Sequence, residues 1–118
     1  MDAPSEGCPV ETTLRVIGGK WKPLILFYLL QGTHRFNELK RRLPPVTQQM
    51  MTLQLRELER DGIVRRLVYA EVPPKVEYSL TTMGRSLEPL LEQMLAWGVE
   101  YLRVARPELT AEAQRAQS

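Results

Sequence analysis

Apolar residues recur at intervals of three and four along most of the 118-residue chain, which is the pattern of helices with one buried face. This spacing predicts a first helix over about residues 9–17 and a second, apolar on nearly every side, over about residues 21–31. Gly32 is expected to cap the second helix. After a short extended segment at residues 33–35, residues 36–43 predict a short basic helix, because the two prolines that follow cannot continue it.

The middle of the chain predicts a fourth helix followed by a β-hairpin. Thr47 is a suitable N-cap for a helix over residues 47–60, and Gly62 is expected to close this helix. Two runs rich in Val, Ile and Tyr, at residues 63–70 and 75–80, flank the sequence EVPP. Such runs favour strands, so a hairpin with a proline-stiffened turn is predicted.

The last predicted helix is long, from about residue 83 to about residue 103, with Thr81 or Thr82 as its N-cap. Its apolar side chains form one broad stripe. This is more apolar surface than one small domain covers, so a homodimer is expected, with the first helix sharing the interface. The predicted interface residues are Leu14, Ile17, Leu87, Leu90, Leu91, Met94, Trp97, Tyr101 and Leu102.

This order of elements has one compact solution, a helix-turn-helix followed by a β-hairpin wing. The predicted fold class is therefore mainly α with a small β-hairpin, a winged helix-turn-helix with a long C-terminal dimerisation helix. One domain that includes both dimerisation helices is expected over residues 1–106. A flexible tail is expected over residues 107–118, which have little to bury.

Composition narrows the classes of function. The longest apolar run, residues 23–30, is far below the roughly 18–20 residues of a membrane span, and the N-terminus lacks the features of a signal peptide. A cytoplasmic protein that contacts no membrane is expected. One His and one Cys, with no metal-ligand spacing and no complete phosphate-binding loop, predict no catalytic residues, no metal and no cofactor. The chain is therefore not expected to be an enzyme.

The net charge of +2 hides an uneven distribution along the chain. Residues 15–85 carry 13 Lys and Arg against six Asp and Glu, whereas the two ends together carry three against eight. The middle of the chain can therefore face phosphate groups, although uneven charge alone fits a solvated surface equally well.

The polar face of the predicted 47–60 helix is suited to reading DNA bases. At about 100° per residue, its polar side chains lie opposite the apolar face formed by Met51, Leu55 and Leu58. In the major groove, which admits a helix, Arg pairs with guanine, Gln pairs with adenine, and methyl groups contact thymine. The predicted base-reading residues are Gln48, Gln49, Thr52, Leu53 and Arg56.

Basic side chains on the neighbouring elements are suited to phosphate contacts, because a supporting helix and a wing both approach the DNA backbone in this fold. The predicted phosphate and wing residues are Lys40, Arg41, Arg42, Thr47, Arg65, Arg66 and Lys75. Double-stranded DNA is thus the expected partner. The alternative is a winged helix that binds only protein, which would have no salt-dependent affinity for duplex DNA.

Four segments also carry a family resemblance. CPVETTLRVIGGKWKPLIL, HRFNELKRRLP, LRELERDGIVRR and YAEVPPKVEYSLTTMGRSLEPLL resemble, in order and spacing, the HxlR family of bacterial winged-helix transcriptional regulators, which are related in fold to MarR-type regulators. The match spans roughly residues 8–103. It implies a homodimer held by the first and last helices, a recognition helix at 47–60, a wing around 70–75, and repression as the mode of action. Leu53 departs from the family pattern, in which a polar residue is more usual.

The single cysteine, Cys8, raises a separate hypothesis. Its position just before Pro9 places the thiol near the positive end of the first helix, where a thiolate is favoured. Several members of the family use a cysteine at this place as a thiol sensor, so the resemblance makes Cys8 a candidate redox sensor. Without a second cysteine, the products would be a Cys8–Cys8 bridge across a dimer, a mixed disulfide, or a sulfenic or alkylated adduct. The alternatives are a cysteine that only packs the helix start and control by a small ligand at the dimer interface.

Overall fold

The computed structural model describes residues 7–109 of the chain. Its helices and strands, in chain order, are α1 (Pro9–Ile17), α2 (Trp21–Leu29), β1 (His34–Arg35), α3 (Phe36–Arg42), α4 (Gln48–Arg60), β2 (Val64–Tyr69), β3 (Lys75–Leu80), α5 (Thr82–Arg85) and α6 (Glu88–Ala105). The chain divides into two compact units, one up to Ser86 and one from Leu87. The single domain over residues 1–106 stays a prediction, and residues 110–118 of the predicted tail lie outside the described residues.

The predicted fold class, mainly helical with a small antiparallel sheet, is confirmed, but the sheet is larger than the predicted hairpin. Three antiparallel strands lie in the order β1-β3-β2. The short strand β1 pairs with β3, and His34 lies opposite Tyr78. Two residues are too few for their alternation to predict a strand, so only the pairing with β3 identifies β1.

The core of the first unit is formed by the helices α2, α3 and α4 together with the sheet. The predicted second helix is α2, which packs at the centre of this core, but it ends at Leu29 rather than at Gln31. The residues after Leu29 form tighter turns with hydrogen bonds of the 3₁₀ type. The Gln31 amide donates to the Tyr28 carbonyl at 3.0 Å, and the Gly32 amide donates to the Leu29 carbonyl at 3.1 Å. The fully buried apolar side chains of this core are Ile25, Leu26, Leu29, Leu39, Met51, Leu55, Leu58 and Val64.

The predicted fourth helix is confirmed as α4, with Thr47 as its N-cap. The Thr47 hydroxyl accepts a hydrogen bond from the Met50 backbone amide at 3.0 Å, which satisfies one of the free amides of the first turn. At the other end, Gly62 has a φ of +76°, a backbone conformation that favours glycine. This turn leads α4 directly into β2.

The prediction of a single long helix from residue 83 is wrong, because the chain forms two helices there. Thr81 caps the short α5 by accepting from the Gly84 amide at 3.0 Å, and α6 begins only at Glu88. The cause is Pro89, which has no amide to donate and whose ring would clash with the Arg85 carbonyl in a continuous helix. Thr81 is therefore the cap of α5 rather than of the long helix.

Candidate nucleic-acid interface

The five predicted base-reading residues lie together on the exposed face of α4. They line one shallow depression on the surface of this helix, formed by Gln48, Gln49, Thr52, Leu53 and Arg56. Thr52 is half-buried, and the other four side chains are exposed, with Leu53 at 48%. None of the five is acidic. The face therefore offers amide and guanidinium donors, amide acceptors and methyl groups, which is the chemistry that base edges in the major groove require.

The orientation of α4 depends on contacts on its buried side and on one flank. Its apolar face is fully buried in the core, as described above. On the flank, the Lys22 ammonium of α2 donates to the Glu57 carboxylate at 2.7 Å. This hydrogen bond and the charge of Lys22 hold the pKa of the Glu57 carboxyl below its ordinary value. Helix α4 is thus held against α2 by an ion pair as well as by packing.

A pocket separates the other flank of α4 from the sheet. Its lining joins side chains of α4 to Arg66 of β2 and the buried Tyr78 of β3, and the full set is Thr52, Leu55, Arg56, Glu59, Arg66 and Tyr78. Arg56 lines both this pocket and the depression on the exposed face. Two guanidinium groups here face one carboxylate. The pocket is suited to a phosphate of a DNA strand that runs between the helix and the wing.

The three basic residues of α3 differ in how free they are to contact DNA. Arg41 is exposed and Lys40 is half-buried. The Arg42 guanidinium donates to the Gln31 side chain at 2.7 Å and lies 5.7 Å from the centre of the Tyr28 ring. Because Arg42 is held against the end of α2, Arg41 is the α3 side chain with most freedom to reach a phosphate.

Lys75, which pairs with Tyr69 next to the turn of the wing, is held by two neighbours. Its ammonium lies 3.7 Å from a Glu77 carboxylate oxygen and 4.9 Å from the centre of the Tyr69 ring. Hydrogen bonding to Glu77 raises the pKa of the Tyr69 phenol above its ordinary value. A phosphate contact by Lys75 therefore competes with Glu77. At the turn beyond, Val72 is 99% exposed.

Cys8 is the N-cap residue of α1, as its position before Pro9 predicts. Its backbone carbonyl accepts from the Thr12 amide at 2.8 Å, while its side chain makes no capping hydrogen bond. The thiol is free and half-buried. Its location at the start of α1 is suited to a sensor, and it equally suits a packing residue.

The predicted dimer residues divide into exposed and buried members. Leu14 of α1 is 64% exposed, whereas Ile17 at 4% and Leu91 at 1% are covered within the single chain and leave no surface for a partner. The Trp97 and Tyr101 rings stack with their centres 5.2 Å apart. Leu87 and Leu102 are half-buried. The exposed large apolar residues of α6 are Leu90, Met94, Leu95, Trp97, Val99, Tyr101 and Val104, of which Leu95, Val99 and Val104 were not predicted.

Within residues 7–109, no cluster of His, Cys, Asp and Glu has the composition to hold a metal ion. Among the same residues, no helix has both the length and the apolar character that crossing a membrane requires.

The fold and the exposed face of α4 together define a winged helix-turn-helix protein of the transcriptional-regulator class. The chain belongs to the HxlR-like helix-turn-helix family, which it matches over residues 16–106. The resemblance seen in the sequence is thereby confirmed.

Two kinds of relative support this assignment. The HTH-type transcriptional regulator YdeP of Bacillus subtilis is 62% identical over 96 residues, which cover 81% of this chain and 75% of YdeP. Among solved structures, the redox regulator HypR in its reduced form has a TM-score of 0.79 and 57% identity, covering 86% of this chain and 99% of HypR. The reduced form of the transcriptional regulator YodB from Bacillus subtilis has a TM-score of 0.71 and 36% identity, covering 85% of this chain and 96% of YodB.

Sequence patterns did not identify the Lys22–Glu57 pair or the pocket lined by Glu59 and Tyr78. Both depend on contacts between elements that are distant in the sequence, 35 residues apart for the ion pair. One signal was available in the sequence, because Lys22 is a single cation inside the otherwise apolar run of α2. A lysine at such a position requires a partner.

Proposed function

We propose that the chain is a sequence-specific, double-stranded DNA-binding transcriptional repressor that binds an inverted-repeat operator as a homodimer. It would act in the cytoplasm, where the DNA of its bacterial relatives lies. The observation that carries the proposal is the depression on the exposed face of α4, which Gln48, Gln49, Thr52, Leu53 and Arg56 line without an acidic residue. Membership of a family of helix-turn-helix transcriptional regulators supports it.

In this proposal α4 enters the major groove, and the side chains of its exposed face contact different kinds of base. Arg56 pairs with guanine, Gln48 or Gln49 pairs with adenine, and the methyl groups of Thr52 and Leu53 contact thymine. Each good bidentate pair contributes about 1–3 kcal/mol of discrimination against the wrong base.

Phosphate contacts then fix the position of the helix in the groove. Arg41 and Lys40 of α3 approach the backbone on one side of α4, and Arg66 approaches it from the wing on the other. The Thr47 hydroxyl oxygen already accepts from the Met50 amide, but its proton remains to be donated to a phosphate. Lys75 and Arg65 add positive charge on the wing.

The homodimer follows from the exposed apolar residues of α6. Trp97 at 69%, Tyr101 at 50% and Met94 at 44% would remain in water in a single chain, and their burial against a second copy is favourable. A two-fold axis relates the two recognition helices, so the operator must be an inverted repeat with half-sites about one helical turn, or a simple multiple, apart.

The proposal is tested by selecting duplexes from a random-sequence pool with the native protein and measuring affinity at several salt concentrations. Enrichment of one inverted repeat, with affinity that falls linearly in log–log form with salt, is expected. Repression is then tested with this repeat placed across a reporter promoter. If no sequence is enriched and duplex DNA binds without salt dependence, the alternative of a winged helix that binds only protein takes its place.

We further propose that oxidants or electrophiles control DNA binding through Cys8. The support is the half-buried free thiol at the start of α1 and the similarity to HypR, a redox regulator of known oxidized and reduced form. In the bridging case, two Cys8 thiols of a dimer lose two electrons and two protons to diamide and form one disulfide. This change at α1 would shift the two recognition helices relative to each other.

Diamide is expected to weaken binding of the native protein to the selected repeat and to leave Cys8→Ser unaffected. Mass spectrometry identifies the product as a bridge, a mixed disulfide or an adduct. If the affinity of the native protein for the selected repeat is unchanged after Cys8 has reacted, Cys8 is only a packing residue. Control would then rest with a small ligand at the dimer interface.

A further inference from the structure

The ion pair between Lys22 and Glu57 joins the central helix to the helix proposed to read DNA. Lys22 lies in the first turn of α2 and is only 8% exposed. Its ammonium donates to Glu57 at 2.7 Å, and the Glu57 side chain is 29% exposed. Glu57 directly follows Arg56 in α4 and precedes the buried Leu58. The contact is therefore made at the boundary between the exposed and the buried faces of α4.

Lys22 is an unfavourable residue at this position by two general criteria. Burial removes water from its charged group, which costs free energy unless a partner compensates. In addition, a cation in the first turn of a helix opposes the positive end of the helix dipole. The first turn of α2 contains no acidic residue, so the compensation comes from Glu57 of α4. A pair of apolar residues would avoid both costs, so stability alone does not account for the pair.

The geometry of α4 indicates what the pair provides. On its other flank, Arg66 and Tyr78 of the sheet line a pocket with Thr52 and Glu59, so unfilled space lies between this side of α4 and the sheet. Side-chain atoms lie about 5–6 Å from a helix axis, so a rotation of about 20° moves them by about 2 Å. Hydrogen bonds to base edges tolerate a change of only a few tenths of an ångström around their usual lengths. Small rotations of α4 would therefore disrupt base reading.

We propose that Lys22 and Glu57 are positioning residues that fix the rotation of α4 about its own axis, so that Gln49, Thr52 and Arg56 meet the base edges. Neither residue contacts DNA in this account. Their effect is exerted on sequence preference rather than on overall affinity. The inference rests on the proposed function, because it needs α4 to be the DNA-reading helix.

The test uses two variants that keep the net charge of the protein unchanged. The first replaces the pair by apolar residues, Lys22→Met with Glu57→Met. The second, Glu57→Asp, keeps the opposite charges but shortens the carboxylate side chain by one C–C bond, about 1.5 Å. Because non-specific binding depends on charge, neither variant should change affinity for a scrambled duplex. The probe is a duplex selected from a random pool by the native protein, and thermal melting measures stability.

Both variants are expected to lose about tenfold or more of their preference for the selected over the scrambled duplex, because one misaligned bidentate pair costs about 1–3 kcal/mol. The matched control, Arg106→Met with Glu108→Met, removes an ion pair of 2.9 Å from the second unit and should keep the native preference. Native preference in either folded test variant would overturn the inference, and if the double variant does not fold, Glu57→Asp decides. A native protein that selects no sequence would instead refute the proposed function itself.

Discussion

Arg66 lies opposite Tyr78 in the antiparallel register of β2 and β3, whereas the neighbouring Arg65 lies opposite Ser79. Successive side chains of a strand point to opposite faces of the sheet. Arg66 therefore shares the face of the buried Tyr78 and lines the pocket beside α4 with Arg56. Two adjacent arginines of the wing are thus expected to contribute differently to DNA binding.

Replacement of Arg66 by Ala should weaken binding to selected and scrambled duplexes alike and reduce the salt slope by about one unit, the loss of one phosphate contact. Arg65→Ala removes the same charge from the other face of the wing and is the matched control, with a smaller effect expected. Fluorescence anisotropy titrations at three or more salt concentrations measure both. Equal losses for the two variants would show that the face of the sheet does not matter.

Trp97→Glu should convert the proposed dimer to a folded monomer. A carboxylate buried without a partner in an interface costs about 3 kcal/mol or more, which is roughly a hundredfold in the dissociation constant. Sedimentation equilibrium at micromolar concentration measures the change. Ala96→Glu places the same charge on the polar side of α6 and should remain dimeric. If the Trp97→Glu protein self-associates like the native protein, α6 does not form the interface.

Gly84→Ala should destabilise the first unit by about 1–3 kcal/mol, the usual cost of overpacking a filled site. A methyl group there would lie 2.2 Å from the Ile63 carbonyl oxygen and 3.2 Å from a Leu80 methyl. The backbone carbonyl cannot move aside cheaply, because Thr81 donates to it from both its amide and its hydroxyl. Denaturant unfolding measures the loss, and Gly98→Ala is the control, because its added methyl group meets no atom within 4 Å apart from the neighbouring backbone of its own helix.

The stability of the protein should depend on the ionisation of Glu57. In the folded state, the hydrogen bond and the charge of Lys22 lower the pKa of this carboxyl. The stabilisation by ionised Glu57 is therefore present above the pKa of the unfolded state and is lost as the pH falls through the pKa of the folded state. The difference in unfolding free energy between the native protein and Glu57→Gln should therefore shrink between about pH 7 and about pH 3. A difference that stays constant over this range would mean that Lys22 does not stabilise the ionised form.

Local patterns predicted most of the helices because capping and periodicity are properties of neighbouring residues. The Thr47 cap, the buried face of α4 and the two strands of the wing follow from residues within one or two turns of each other. The break between α5 and α6 was also readable in principle, since Pro89 stands at the second position of α6. The pairing of β1 with β3, in contrast, depends on a contact across more than 40 residues, from His34 to Tyr78.

The candidate site was predictable to the extent that it lies on one helix. The five residues of the α4 face share a side because about 100° separates successive residues, which needs no tertiary information. The attachment of Arg42 to Gln31, 11 residues away, and the burial of Ile17 and Leu91 do not follow from the pattern of a single helix. For this reason, more residues were predicted to be available for DNA or for a partner than the structure leaves exposed and unpaired.

The most direct test of base reading by α4 is the affinity of the native protein and of Arg56→Ala for the selected operator and for a set of duplexes that each carry one symmetric base-pair change. The account predicts that Arg56→Ala loses about 1–3 kcal/mol on the operator and no longer discriminates at one base pair of each half-site, while it keeps the native preference at the others. Uniform weakening on every duplex, with a salt slope reduced by about one unit, would contradict it and make Arg56 a phosphate contact.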